Sequence, residues 1–286
     1  VVMDTAHELV FLGTGAACGN PTFFCGCEAC QEALENPVEA KTCSSIAVMG
    51  TGITLVDTAP ELRLQFAREG ISAIDRVLFT HQHFDHTGGL PQLEFAVRLV
   101  RHDPLPVYAT AECLAWLATH YDWMWDVVEP HVVEPFQTLT FDGVSYTALP
   151  ASHCEGAVGY EISCDGARLA YFPDTGPLKP AVLQRLQELD ALIHDSTFIG
   201  RNWNPASHTT VDGTIALGRT LGAKAVYLTH CSLHYDEPHT ATALRAELAA
   251  RDTGGMRVVL PHDGLRLNVG DLAILPATPA SDALSY

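Results

Sequence analysis

The segment His81-Gln-His-Phe-Asp-His86 follows the apolar run Asp75-Arg-Val-Leu-Phe-Thr80 without a break and is followed at once by Gly88-Gly89. Three imidazoles and a carboxylate within six residues put four coordinating groups on one strand-to-loop turn, where they can divide between two adjacent cations. The two glycines then free the backbone to begin a helix. A solvated His-rich loop is the plainer account, but such a loop has no reason to start where an apolar strand ends. Four side chains cannot complete two metal shells, so other ligands must arrive from other strand ends. Open α/β sheets gather their sites at strand C-termini, and a layered α/β sandwich is the fold class that mixed strands and helices suggest.

The rest of the chain meets that requirement. Apolar runs at 9–13, 44–50, 53–58, 76–80, 106–110, 137–150, 160–174, 191–196, 225–230 and 256–261 read as buried strands. Phe141-Asp-Gly143 and Cys164-Asp-Gly166 lie inside two of these runs and predict β-hairpins. Helical periodicity covers 59–70 (closed by Gly70), 90–100, 111–121, 179–190, 210–222 and 240–251. With 286 residues, 47% of them hydrophobic, the chain can bury a large core, and no Ser-, Pro- or charge-rich linker divides it. A single α/β domain over 1–286 is expected.

Three strand ends supply the missing ligands: His153 after the run ending at Pro150, Asp174 after "LAYFP", and His230 after "AVYLT". Singly each could be an ordinary strand-end residue. Together, and in this order, the His81–His86 segment, His153, Asp174 and His230 resemble the metallo-β-lactamase fold hydrolases, from "FLGTGAA" to "HDGLRL". The resemblance implies a four-layer αββα sandwich with a dinuclear site between its sheets. It implies that His81, His83 and His153 bind one metal, that Asp85, His86 and His230 bind the other, and that Asp174 bridges them. Asp57, closing "ITLV", matches the family aspartate that orients a ligand histidine.

His208 precedes the helical run leading to His230. By itself it reads equally as a surface histidine at a helix start. Small phosphodiesterases and tRNA 3′-processing nucleases of the family carry a histidine there that contacts the scissile phosphate. The resemblance therefore makes His208, with Asp85, the catalytic pair, His208 acting as phosphate ligand and general acid. Asp195 is a candidate for orienting it, and Arg201 and Asn202 for reading the substrate.

Cys25-Gly-Cys-Glu-Ala-Cys30 packs three of nine cysteines into six residues, in a loop running from about 18 to 30. Three such thiolates bind Zn²⁺ well but need a fourth partner. Free thiols and a redox pair are the competing accounts, and the spacing favours zinc. A Cys-x-Cys-x-x-Cys zinc site near the N-terminus marks the family branch that contains the PhnP-like phosphodiesterases and PqqB. The comparison points to His234 as fourth ligand, with Cys231 its rival. Cys18, Cys43, Cys113, Cys154 and Cys164 receive no role, and Trp116, Trp123 and Trp125 are expected to pack a helix.

A formal charge of −18 argues against a basic groove for long nucleic acids. The aspartate bridge favours the phosphodiesterase branch. The expected activity is a metallo-hydrolase cleaving a small, cyclic, phosphoribosyl-type phosphate ester with a hydroxide shared by two metals. Its cofactors would be two divalent ions (Zn²⁺, Mn²⁺ or Fe²⁺) and one structural Zn²⁺. A tRNA 3′-processing nuclease, and a PqqB-like or sensory metal-binding protein without turnover, are the alternatives. The apolar run near the start is short and broken and no basic segment precedes it, which predicts a cytoplasmic protein with no membrane contact. A homodimer is the commonest assembly for such a chain.

Overall fold

A computed structural model describes residues 7–235 and 237–276. One sheet contains β1 (Glu8–Gly13), β2 (Ser45–Met49), β3 (Ile53–Val56), β4 (Arg76–Leu78), β5 (Leu105–Ala109) and β6 (Val128–Val132), with β14 (Arg266–Asn268) and β15 (Ile274–Leu275) beyond β1. The other runs in chain order through β7 (Thr138–Phe141), β8 (Val144–Pro150), β9 (Val158–Cys164), β10 (Ala167–Phe172), β11 (Ala191–Asp195), β12 (Ala225–Thr229) and β13 (Arg257–Val259). Each sheet begins with antiparallel strands and ends with parallel ones: β3 through β6 in the first, β10 through β13 in the second.

The apolar runs are continuous because both faces of each sheet are covered. In β1, Leu9 and Phe11 point between the sheets, where they join Ile46, Tyr146, Tyr160, Leu169, Tyr171 and Tyr227. Val10 and Leu12 point outward against α2 (Leu62–Glu69) and α5 (Ala111–His120), through Leu62, Leu114 and Leu117. On the far side, Phe172, Val226 and Leu228 meet α6 (Pro180–Arg185), α7 (Val211–Leu221) and α8 (Ala241–Ala250) through Val182, Ile215 and Leu244. Helix, sheet, sheet, helix is the αββα sandwich expected from the sequence. Each fully buried Leu, Val or Phe contributes about 1.5–3 kcal/mol of apolar transfer to it.

Both hairpins form with positive φ at the two central residues, Asp142 and Gly143 (51° and 84°) and Asp165 and Gly166 (52° and 83°). This is the twist-matched two-residue turn that Asp-Gly favours. The expected regular helix over 90–100 differs. It runs as a 3-10 turn at Leu90–Leu93, α4 at Glu94–Ala96 and a π-helical turn at Val97–Arg101. Its apolar signal is misleading, since Phe95, Leu99 and Val100 are exposed and only Leu90, Leu93 and Val97 are buried. With so few buried positions, packing does not enforce one helical pitch. Among the described residues no helix is long and apolar enough to cross a membrane.

Candidate metal centre

The loop after β4 carries His81 and His83 and enters α3 (Phe84–Thr87), which holds Asp85 and His86. His153 lies beyond β8, Asp174 beyond β10 and His230 beyond β12. All of these strands end at the same edge, so loops distant in sequence converge there. Donor atoms of His81, His83, His153 and Asp174 lie within 4.8 Å of one another, and so do those of Asp85, His86, Asp174 and His230. Asp174 belongs to both groups.

The imidazoles are oriented from behind. Asp57, fully buried, accepts from the Thr80 amide and hydroxyl and from His86 Nδ1, each at 2.8 Å. His81 Nδ1 donates to the same Thr80 hydroxyl at 3.0 Å. His153 Nδ1 donates to the Ser207 carbonyl at 3.0 Å. His230 Nδ1 donates to Thr197 Oγ1 at 2.8 Å, and that hydroxyl donates in turn to Asp195 Oδ1. Each bond commits Nδ1 and leaves Nε2 as the lone-pair nitrogen facing the cluster, the arrangement by which outer partners fix a metal-binding tautomer. His83 presents Nδ1, 2.9 Å from His153 Nε2.

Two observations fit a cation here. His81 Nε2 and His86 Nε2 are buried without a hydrogen-bond partner, which is costly for a polar nitrogen unless something else occupies its lone pair. Protonation agrees with the first. Burial pulls His81, His83 and His153 below the usual imidazole range, so they are neutral ligands at neutral pH. Burial opposes charge on Asp85 and Asp174 as well, but the surrounding histidines overcome it and hold both carboxylates ionised. Those carboxylates also outweigh burial at His86 and His230 and shift both rings toward the protonated form. A divalent ion would compete with that protonation.

Two cluster residues carry unusual backbone conformations. Asp57 and His230 adopt left-handed φ of 66° and 56°, costing about 1–3 kcal/mol each for non-glycine residues. Both are locked by their neighbours: the Asp57 amide donates to the Leu78 carbonyl, and the His230 amide to Ser44 Oγ.

His208 stands over the cluster. Its ring stacks on His230 at 5.7 Å and meets His153 edge-on at 5.1 Å. Nδ1 donates to Asp195 Oδ2 at 3.0 Å and lies 2.8 Å from Asp174 Oδ1. Burial works against a proton on this ring, but the two carboxylates win and raise its pKa to about 10. Asp195 is fully buried and also accepts from the Thr175, Thr197 and Thr209 amides, so it is a rigid anchor. The Asn202 side chain is engaged within its own loop: its amide donates to the His208 carbonyl and its oxygen accepts from the Asn204 amide. Asn202 therefore shapes the loop, and Arg201 is exposed.

The thiols of Cys25, Cys27 and Cys30 lie within 4.8 Å of one another, the first in the loop before α1 (Glu28–Glu35), the second at its N-cap and the third in its first turn. His234 is outside that trio. Its ring is raised above the usual imidazole range by a hydrogen bond to the Cys18 thiol, despite burial, and by the charges of Cys18 and Cys25. Its Nδ1 is buried without a partner. Cys231 is buried with its thiol on the Thr229 carbonyl at 3.8 Å and is not part of the trio either. Cys18, passed over in sequence, sits beside Ser232 and Tyr235 as well as His234. Burial raises its thiol, but these hydrogen bonds bring it down to about 7. Trp116 and Trp125 pack against the outer core, whereas Trp123 is exposed and Trp203, unnoticed in sequence, closes over Phe198 beside His208.

The family description "Beta-lactamase superfamily domain" matches residues 53–231. A crystal structure described as a new diphosphatase from the PhnP family superposes with a TM-score of 0.77 at 29% identity, covering 91% of this chain and 96% of that one. Coenzyme PQQ synthesis protein B of Methylorubrum populi is 30% identical over 228 residues, 67% of this chain and 73% of that protein. An octanoyltransferase of Porphyromonas gingivalis is 34% identical over 105 residues, but the match spans 37% of this chain and only 21% of that protein. With the sandwich, the shared edge and these matches in agreement, the chain belongs to the beta-lactamase superfamily.

Proposed function

We propose that the protein is a metal-dependent phosphoric diester hydrolase acting on a small phosphate ester of the cyclic phosphoribosyl type. The observation that carries this reading is His208: a histidine held beside the proposed bridging Asp174, fixed through Nδ1 by Asp195, with Nε2 left to face a ligand over the cluster. A phosphate lying across the two donor groups would meet a charged imidazole there. The PhnP-family diphosphatase among the similar structures supports phosphoester chemistry.

His81, His83, His153 and Asp174 would hold one divalent ion, and Asp85, His86, Asp174 and His230 the other. When bound, such a pair supplies Lewis-acid charge to phosphoryl oxygens and a water activated at neutral pH. The chain's own part is positional. Asp57, Thr80, Thr197 and Ser207 aim the imidazoles, Asp195 holds the His208 tautomer, and His208 Nε2 gives its proton to the departing oxygen.

His208→Ala should lower turnover of a bis-aryl phosphodiester by about 10²-fold or more while retaining the wild-type metal equivalents. If metal-replete protein cleaves neither that compound nor any ribose cyclic phosphate, the phosphodiesterase reading is wrong. Unchanged turnover in the variant removes His208 from the mechanism. Retained metal together with lost turnover separates an enzyme from a binding or sensory protein.

The thiol trio is proposed as a structural zinc clip that ties the loop after β1 to the segment following His230. The orphaned Nδ1 of His234 is the group proposed to close it. Replacing Cys25 and Cys27 together by serine should remove one zinc equivalent and lower the melting temperature by roughly 5 °C. An unchanged zinc content would rule the clip out.

A further inference from the structure

A second mixed cluster lies at the far end of the sandwich. The proposed active-site ligands follow the C-terminal ends of β4, β8, β10 and β12, whereas His7 precedes β1 and Asp165 precedes β10. His7 Nδ1 is 3.1 Å from Cys164 Sγ and 3.5 Å from Asp165 Oδ2, and Cys164 Sγ is 3.2 Å from the same carboxylate oxygen. All three donor atoms fall within one 4.8 Å group.

The imidazole is turned so that it can serve as a ligand. His7 Nε2 is 2.9 Å from the Asp142 carbonyl, which can only accept. The ring proton of a neutral imidazole is therefore on Nε2, and Nδ1 turns a lone pair toward the thiol and the carboxylate. Cys164 Sγ and Asp165 Oδ2 face the same space, so a cation placed there would take lone pairs from all three groups at once.

The spacing fits as well. Tetrahedral zinc with bonds of about 2.05 Å to nitrogen, 2.1 Å to oxygen and 2.3 Å to sulfur places its donors about 3.4–3.6 Å apart. The observed separations need only a few tenths of an ångström of expansion. The Asp142 carbonyl has the place of the outer group that fixes a ligand histidine. The Asp142 side chain is engaged elsewhere, on Arg76 at 2.7 Å. Gly50 makes room for the imidazole, since a Cβ there would lie 2.4 Å from His7 Cδ2.

We propose that His7, Cys164 and Asp165 form an additional divalent-cation site, suited to zinc by its nitrogen, sulfur and oxygen donors. It pins the start of β1, in one sheet, to the β9–β10 turn of the other. Asp165 is more than half exposed, which leaves the fourth coordination position to water. This proposal does not depend on the phosphodiesterase reading.

The test is zinc content, with zinc-dependent melting, of the full chain carrying Asp165→Asn, His7→Gln or Cys164→Ser. Asparagine accepts the left-handed φ of 52° at position 165, so that variant keeps the turn even if the buried Cys164→Ser destabilises the core. Each variant should contain one zinc equivalent fewer than wild type, or bind that equivalent at least about 10-fold more weakly. Phosphodiester turnover should be unaffected. Wild-type zinc content and wild-type zinc-dependent melting in all three variants would overturn the site and leave a hydrogen-bonded cluster.

Discussion

Asp174→Ala protein should lose at least about 10³-fold in phosphodiester turnover, roughly 4 kcal/mol of transition-state stabilisation, and should bind both active-site metal equivalents more weakly. The reason is its double membership. Asp174 Oδ2 lies 3.5 Å from His81 Nε2, 3.2 Å from His153 Nε2, and 3.6 Å from both His86 Nε2 and His230 Nε2. Oδ1 approaches His208. No other side chain in the cluster belongs to both ligand groups, so its removal opens both and also frees His208 on one side. Loss of only one equivalent, with the second bound at wild-type affinity, would contradict the bridging role. The measurements are metal titration of the apoprotein and steady-state kinetics at saturating metal.

Asp57→Ala should have the largest effect on stability. The carboxylate is inaccessible to water and accepts three hydrogen bonds, and alanine would strand the Thr80 amide, the Thr80 hydroxyl and His86 Nδ1 in the interior. Burial raises the Asp57 pKa, and the pull of His86 and Thr80 does not fully offset it. Removing the acid therefore relieves some desolvation cost while leaving its partners unpaired. A net loss of about 3 kcal/mol is expected, seen as a lower denaturation midpoint without a change in slope. Asp57→Asn should be milder in stability but should still weaken metal binding about 10–100-fold. Its amide nitrogen would oppose His86 Nδ1–H and force the ring toward the other tautomer. Equal metal affinity in wild type and Asp57→Asn would show that this contact does not orient His86.

Much of this architecture is legible because chemistry and periodicity coincide in sequence. His81 to His86 are contiguous, the strands are apolar on both faces, and Asp142-Gly143 and Asp165-Gly166 encode their turns locally. The omissions are physical as well. β6 reads poorly because it contains Pro130 and has three exposed positions, and both features belong to the outermost strand of a sheet. β14 has three residues and β15 two, too few to display a period. α1 is short and begins inside the thiol loop, where the cysteines dominate the reading. Thr80, Thr197, Ser207 and Ser44 bear no sequence mark of their roles, because a hydroxyl or carbonyl becomes an orienting group only when tertiary structure brings a ring to it. The placement of Cys18 beside His234 has the same origin.

The division of labour between the two sheets has a further consequence. His81, His83, Asp85 and His86 come from the loop after a strand of the first sheet, whereas His153, Asp174 and His230 follow strands of the second. Neither half encodes a complete coordination shell, so during synthesis high-affinity metal capture must await emergence of the residues through His230 and the closure of one sheet on the other. Metal occupancy is then a thermodynamic latch on that closure. At free metal 100 times the dissociation constant, each bound ion would deepen the native well by about 2.7 kcal/mol.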